Sequence, residues 1–145
     1  METLPEDKNT KILIIGCGNS SLGFDLMSQG GLTNIDNMDY SEVVIEKMKE
    51  KHPDMRWHAM DMMAMTFPDG DFDVVLDKGT MDVIMTDNKD PWNPTDEVKE
   101  RGRKVIDNVY RVLKPGGLFI QISFDQPHFR KKFILPEHIQ WAEFK

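Results

Sequence analysis

The chain has a single cysteine, Cys17, in 145 residues, which excludes an internal disulfide and any multi-cysteine metal site. It has no apolar run approaching the ~20 residues needed to cross a bilayer, so no membrane association is expected. Basic residues are in deficit: 18 Lys and Arg stand against 25 Asp and Glu, a formal charge of -7. The acids are spread along the chain, which argues against a nucleic-acid partner. The four histidines, His52, His58, His128 and His138, have no ligand spacing, and no metal is expected. Met1 to Lys11 has no basic-then-apolar signal region, and with the lone thiol this leads to the expectation of a cytoplasmic setting. Repeats and low-complexity tracts are missing too, and the length suits one domain over residues 1–145.

What is present is an alternation between strand-like and helix-like spacing of the apolar residues, with turn residues at each change. That alternation predicts an α/β fold, a doubly wound and mainly parallel sheet with helices on both faces. The first strand is Ile12-Leu13-Ile14-Ile15, a continuous apolar run suited to the middle of such a sheet. It runs into Gly16-Cys17-Gly18-Asn19-Ser20, and a helix from Ser21 to Gln29 follows. A second strand, Ile35 to Asp39, is poor in sheet propensity and is placed by its position between helices. Ser41 then caps a helix reaching Lys51.

Further strands are expected over Met55 to Met60, ending on Asp61, and over Phe72 to Leu76, ending on Asp77. Asp87 to Pro94 reads as a loop, and Thr95 to Leu113 as a helix with Val98, Val105, Val109 and Val112 inward. Lys114-Pro115-Gly116-Gly117 stops that helix, and Leu118 to Ser123 makes the fifth strand. Pro127 to Lys132 is a basic loop or short helix, with Arg130-Lys131-Lys132 read as a solvated face in preference to an acidic-substrate dock; His138 to Phe144 is suited to begin a sixth strand.

In an open parallel sheet a ligand binds beyond the carboxyl ends of the strands, where the strand order reverses. There Gly16 and Gly18 permit a tight turn and close approach of the backbone, with helix N–H groups beyond. Asp39, at the end of the second strand, is placed to accept hydrogen bonds from both hydroxyls of a ribose. Asp61, or the adjacent backbone of Met62, can read the edge of an adenine, and Asp77 stands where a donor and its acceptor would meet. Each aspartate taken alone is as readily a helix cap or turn residue. Cys17 reads as a small packing residue, and the Met60, Met62, Met63, Met65 cluster as core and loop packing. Ser21 replaces the Gly or Ala of a nicotinamide-type fingerprint, which disfavours an oxidoreductase.

The runs Ile12 to Ser20, Met38-Asp39-Tyr40-Ser41, Phe72 to Thr80 and Arg111 to Gly117 resemble class I methyltransferases. Within that class they are similar to the methyltransferase-like group of protein lysine methyltransferases that includes those acting on elongation factor 1-alpha. The resemblance implies S-adenosyl-L-methionine as cofactor, a strand order of 3-2-1-4-5 with a C-terminal hairpin, and a protein substrate, a translation factor among the candidates. It implies a cofactor loop of Gly16, Cys17, Gly18 and Asn19, ribose and adenine contacts from Asp39, Tyr40, Asp61 and Met62, and a donor-end catalytic role for Asp77. Only 22 residues follow Ser123, which leads to the expectation of a truncated hairpin and a sheet edge covered by a partner chain. The alternative is an inactive module that keeps the fold within a larger assembly.

Overall fold

The structure is a computed structural model that describes residues 7–86, 90, 93–124 and 126–143. The elements run β1 (Ile12–Ile15), α1 (Leu22–Ser28), β2 (Ile35–Asp39), α2 (Glu42–Lys51), β3 (Arg56–Ala59) and β4 (Phe72–Lys78), then α3 (Thr80–Thr86), α4 (Asp96–Val112), β5 (Leu113–Ile122) and α5 (Pro127–Ile134). The five strands form one sheet in the order β3-β2-β1-β4-β5, and every pairing is parallel. The order reverses beside β1, so the two halves of the sheet part at its carboxyl end.

All four residues of β1 are buried because both faces of the sheet are covered. Leu13 and Ile15 point to the core formed with Val98, Val105, Ile106 and Val109 of α4. Ile12 and Ile14 point to the other core, with Ile45 and Met48 of α2. Strand side chains alternate with period two, so one short apolar run serves both layers. Local chemistry sets the helix starts: the Ser41 hydroxyl accepts from the Val44 amide at 3.3 Å and the Thr95 hydroxyl from the Val98 amide at 3.3 Å. No helix among the described residues is long and apolar enough to cross a membrane.

The poor propensity of β2 is offset by partners on β3. The carboxylate of Asp36, 4% exposed, accepts from Arg56 Nε and Nη2, both at 3.0 Å, and meets His58 Nε2 at 2.8 Å. Burial works to raise the Asp36 carboxyl, but these hydrogen bonds and charges outweigh it and hold it below its ordinary value. The Asn37 amide donates to the Arg56 carbonyl at 3.2 Å. Gly23 of α1 leaves room for Asn37: a Cβ there would lie 2.5 Å from its Oδ1.

Several elements differ from expectation. β4 runs on to Lys78, so Asp77 lies inside the strand, and α3 follows at once. The helix stops before Lys114 as expected, but the fifth strand starts ahead of Leu118: Leu113 pairs with Phe72 and Leu118 with Val74, so four residues bulge opposite Asp73. Of the two readings of Pro127 to Lys132, the short helix is the one that forms, as part of α5. No strand forms over residues 138–143; that segment is anchored by Trp141, whose indole donates to the Ile134 carbonyl at 2.7 Å and whose ring stacks on Phe119. Phe144 lies outside the described residues, as do residues 87–89 and 91–92 of the expected loop, whose described remainder, Asp90, Asn93 and Pro94, is neither helix nor strand.

Candidate functional site

A cavity of about 300 Å³ opens at the carboxyl ends of β1, β2 and β3. Gly16, Asp39, Tyr40, Asp61 and Met62 all line it, joined by Met38, Met60, Met63 and Thr80. Asp39 Oδ2 accepts from the Gly18 amide at 2.8 Å, and its Oδ1 from the Ser41 amide at 2.9 Å. The carboxylate therefore ties the glycine loop to the start of α2, and each oxygen retains capacity for another donor. Tyr40, 81% exposed, stands at the rim. Asp61 Oδ1 accepts from the Met63 amide at 2.8 Å, which turns the chain so that Met60, Met62 and Met63 form an apolar wall.

The glycine loop is bent by need. Gly16 has φ +57° and Gly18 φ +53°, a region where a Cβ is strained. The Thr80 hydroxyl sits against the first turn, within 3.1 Å of the Gly16 carbonyl and 3.3 Å of the Ile15 carbonyl, to which it can donate. Thr80 joins the end of β1 to the start of α3. Its motif was visible in the sequence, but its contact spans more than sixty residues and left no local signal. Cys17 points away from the cavity into the α1–α2 core, 6% exposed. Burial, then the nearby charge of Asp39, pushes its thiol up to about 12, which leaves no thiolate for nucleophilic work. Asn19 is not among the residues lining the cavity.

Asp77, expected at the donor end, lies within β4 and behind the cavity lining. Its side chain is fully buried and lines no part of the cavity. Its oxygens accept from the Thr80 amide at 2.9 Å, the Met81 amide at 3.4 Å and the Gln121 side chain at 3.1 Å. Burial nevertheless raises its carboxyl above the ordinary value. Asp77 thus fixes the start of α3, including Thr80, and acts on the cavity through that residue.

A second cavity, about 360 Å³, lies between α4 and the segment after α5, with Lys99, Arg103, Lys132 and His138 in its lining. Arg103 is bound to Glu100 and Asp107, and His138 to Asp107 at 2.6 Å, so much of its positive charge is already matched. No group of three or more His, Cys, Asp or Glu among the described residues is arranged to hold a metal.

A family model described as a methyltransferase domain matches residues 6–143. The mouse protein EEF1A lysine methyltransferase 4 is 41% identical over 144 residues, covering 97% of this chain and 55% of its own length. The human eEF1A lysine and N-terminal methyltransferase is 42% identical over 128 residues, covering 86% of this chain and 17% of its own. The chain thus spans about half the length of EEF1A lysine methyltransferase 4. Among solved structures, a SAM-dependent methyltransferase from Methanosarcina mazei superposes with a TM-score of 0.65 at 21% identity, over 86% of this chain and 59% of that one. The sheet order, the glycine turn at the carboxyl end of β1 and a match over nearly every residue lead to one conclusion: the chain belongs to the methyltransferase domain family, is class I in architecture, and resembles the eEF1A lysine methyltransferases.

Proposed function

We propose that the chain binds S-adenosylmethionine in the cavity at the ends of β1, β2 and β3, and forms the cofactor-binding core of a protein lysine N-methyltransferase. The observation that carries the reading is Asp39, whose two oxygens are each steadied by one backbone amide at the mouth of the glycine loop. A carboxylate held in this way suits a ribose, whose two vicinal hydroxyls need two acceptors in fixed positions. The wall of Met60, Met62 and Met63 suits the face of an adenine, and Asp61 its polar edge. The acidic character of this rim favours a cationic ligand.

When bound, S-adenosylmethionine supplies a methyl group on a sulfonium, already activated for displacement by an amine. The protein's own part is alignment and exclusion of water, which can lower a barrier by several kcal/mol with no covalent residue. Gly16 brings the backbone against the ligand, Thr80 holds that turn, and Asp77 holds Thr80. An acceptor lysine, with its ordinary pKa near ~10.4, has to arrive or be made neutral. The relatives' names point to a lysine of the translation factor eEF1A as the substrate to try first.

The test is calorimetric titration of the chain with S-adenosylmethionine, beside Asp39→Ala. Binding near micromolar strength, about -8 kcal/mol, that weakens at least about thirtyfold in the variant is the expected result. A folded chain that binds no S-adenosylmethionine would overturn the reading and leave a domain retained for its shape.

A further inference from the structure

The wall of the cavity is held from outside it. The segment between β3 and β4 that carries Met60 to Met63 makes its first attachment at the Met60 amide, which donates to the Asp39 carbonyl at 2.9 Å. A second attachment comes from α4, at residues that touch no part of the cavity. The Asn108 side chain accepts from the Met65 amide at 3.1 Å and donates to the Met63 carbonyl at 3.0 Å. It thus serves both polar groups of the backbone just past the wall. One turn on, Arg111 donates to the Met65 carbonyl at 2.7 Å and to the Phe67 carbonyl at 2.8 Å, and its guanidinium also reaches Asn108 Oδ1 at 3.3 Å. The end of the segment is tied to the same helix, with the Gly70 and Asp71 amides donating to the Arg111 and Val112 carbonyls.

We propose that Asn108, supported by Arg111, is a positioning residue of the cofactor cavity, presetting the Met60–Met63 wall for the adenine by holding the backbone of Met63 and Met65. The proposal rests on the cofactor reading above. The physical argument is one of ordering. Met60, Met62 and Met63 are flexible side chains on an irregular segment, and a wall ordered only upon binding would charge its lost entropy to the affinity. Asn108 removes that cost in advance by occupying, from a rigid helix, backbone groups that would otherwise turn to water. Asn108 has another contact on its own helix, donating to the Lys104 carbonyl at 2.9 Å, so its rotamer is fixed independently of the wall.

The test compares Asn108→Ala with Val98→Ala in the whole chain. Val98 is buried on the same helix, about 15 Å along it from Asn108, and serves as a control that lowers stability without removing a hydrogen bond to the wall segment. Two quantities are read: the Kd for S-adenosylmethionine, and the hydrogen-exchange rate of the Met65 amide in the ligand-free chain. The expected result is about a tenfold rise in Kd and about tenfold faster exchange in Asn108→Ala, with a change below about twofold in Kd for Val98→Ala. Wild-type affinity in Asn108→Ala, or equal weakening by Val98→Ala, would overturn the positioning role. If the wild-type chain binds no S-adenosylmethionine, the cofactor reading fails, and the exchange rate alone judges the hold on the wall: unaltered exchange overturns that as well.

Discussion

Gly16 and Thr80 meet where the carboxyl ends of β1 and β4 lie side by side: a Cβ added to Gly16 would fall 2.1 Å from Thr80 Oγ1 and 2.6 Å from Thr80 Cβ. Position 16 therefore requires glycine for two separate reasons, the contact with Thr80 and a backbone φ of +57°. The same closeness allows the Thr80 hydroxyl to reach the carbonyls of both Ile15 and Gly16.

Gly16→Ala is accordingly expected to lower stability by about 2 kcal/mol or more, from left-handed strain together with overlap. Thr80→Ala in the same chain should not restore it, because the Thr80 Cβ is itself in the way and the strain at φ remains. Urea unfolding of the single and double variants checks this. A double variant as stable as Thr80→Ala alone would show that the contact, and not the backbone, sets the requirement.

Cys17 is expected to be inert in the folded chain. Its thiol is buried and pushed up to about 12 by burial and by the charge of Asp39, so at about pH 8 almost no thiolate forms. Iodoacetamide should label it only after unfolding, at least about a hundredfold more slowly in the native state. Cys17→Ala should keep cofactor affinity within about twofold, since the residue contributes packing and a backbone amide. Rapid labelling of the native chain would contradict the placement of the side chain.

Asp77 gives a pH signature of definite sign. Burial is the largest influence and raises its folded-state carboxyl above its ordinary value, against the hydrogen bonds from Gln121, Thr80 and Met81. The folded state then binds a proton at a pH where the unfolded chain has released it. The contribution of Asp77 to stability is complete below the unfolded value and is lost as pH rises through the folded one. Asp77→Asn cannot titrate, so the stability of the wild type relative to this variant should improve as pH falls from about 7 toward about 4. Chemical unfolding of both proteins across that range measures it, and the reverse trend would mean that the hydrogen bonds outweigh burial.

Much of the fold could be read in the sequence because it depends on neighbours along the chain. The run Ile12 to Ile15 marked the central strand, and Ser41 and Thr95 marked helix starts with hydroxyls that reach amides three residues ahead. The glycine turn after β1 and the aspartate ending β2 were recognisable as candidates, since the turn and the strand end each have a local pattern. A short helix directly after β4 was not legible: α3 has seven residues, too few for a clear period, and its start depends on Asp77 from the strand before it. Nor was the early start of β5: the helix stops before Lys114 as its turn residues indicate, but Leu113 already pairs with Phe72, ahead of the bulge that carries Pro115 and Gly116.

What the sequence by itself determined through short-range patterning is the class of the molecule, a doubly wound parallel sheet with a carboxylate-flanked glycine turn at its carboxyl end; the strand order came with the family resemblance. What only the tertiary structure decided is which carboxylate faces the cavity and which does not. Asp39, Asp61 and Asp77 look alike as strand-ending residues, yet Asp39 and Asp61 line the cavity while Asp77 is fully buried. The choice follows from where backbone amides and the Gln121 side chain arrive in three dimensions. The hold of Asn108 and Arg111 on the methionine wall is of the same kind, made across more than forty residues. A buried polar group must find its partner wherever the packed elements place one, and no local pattern carries that placement.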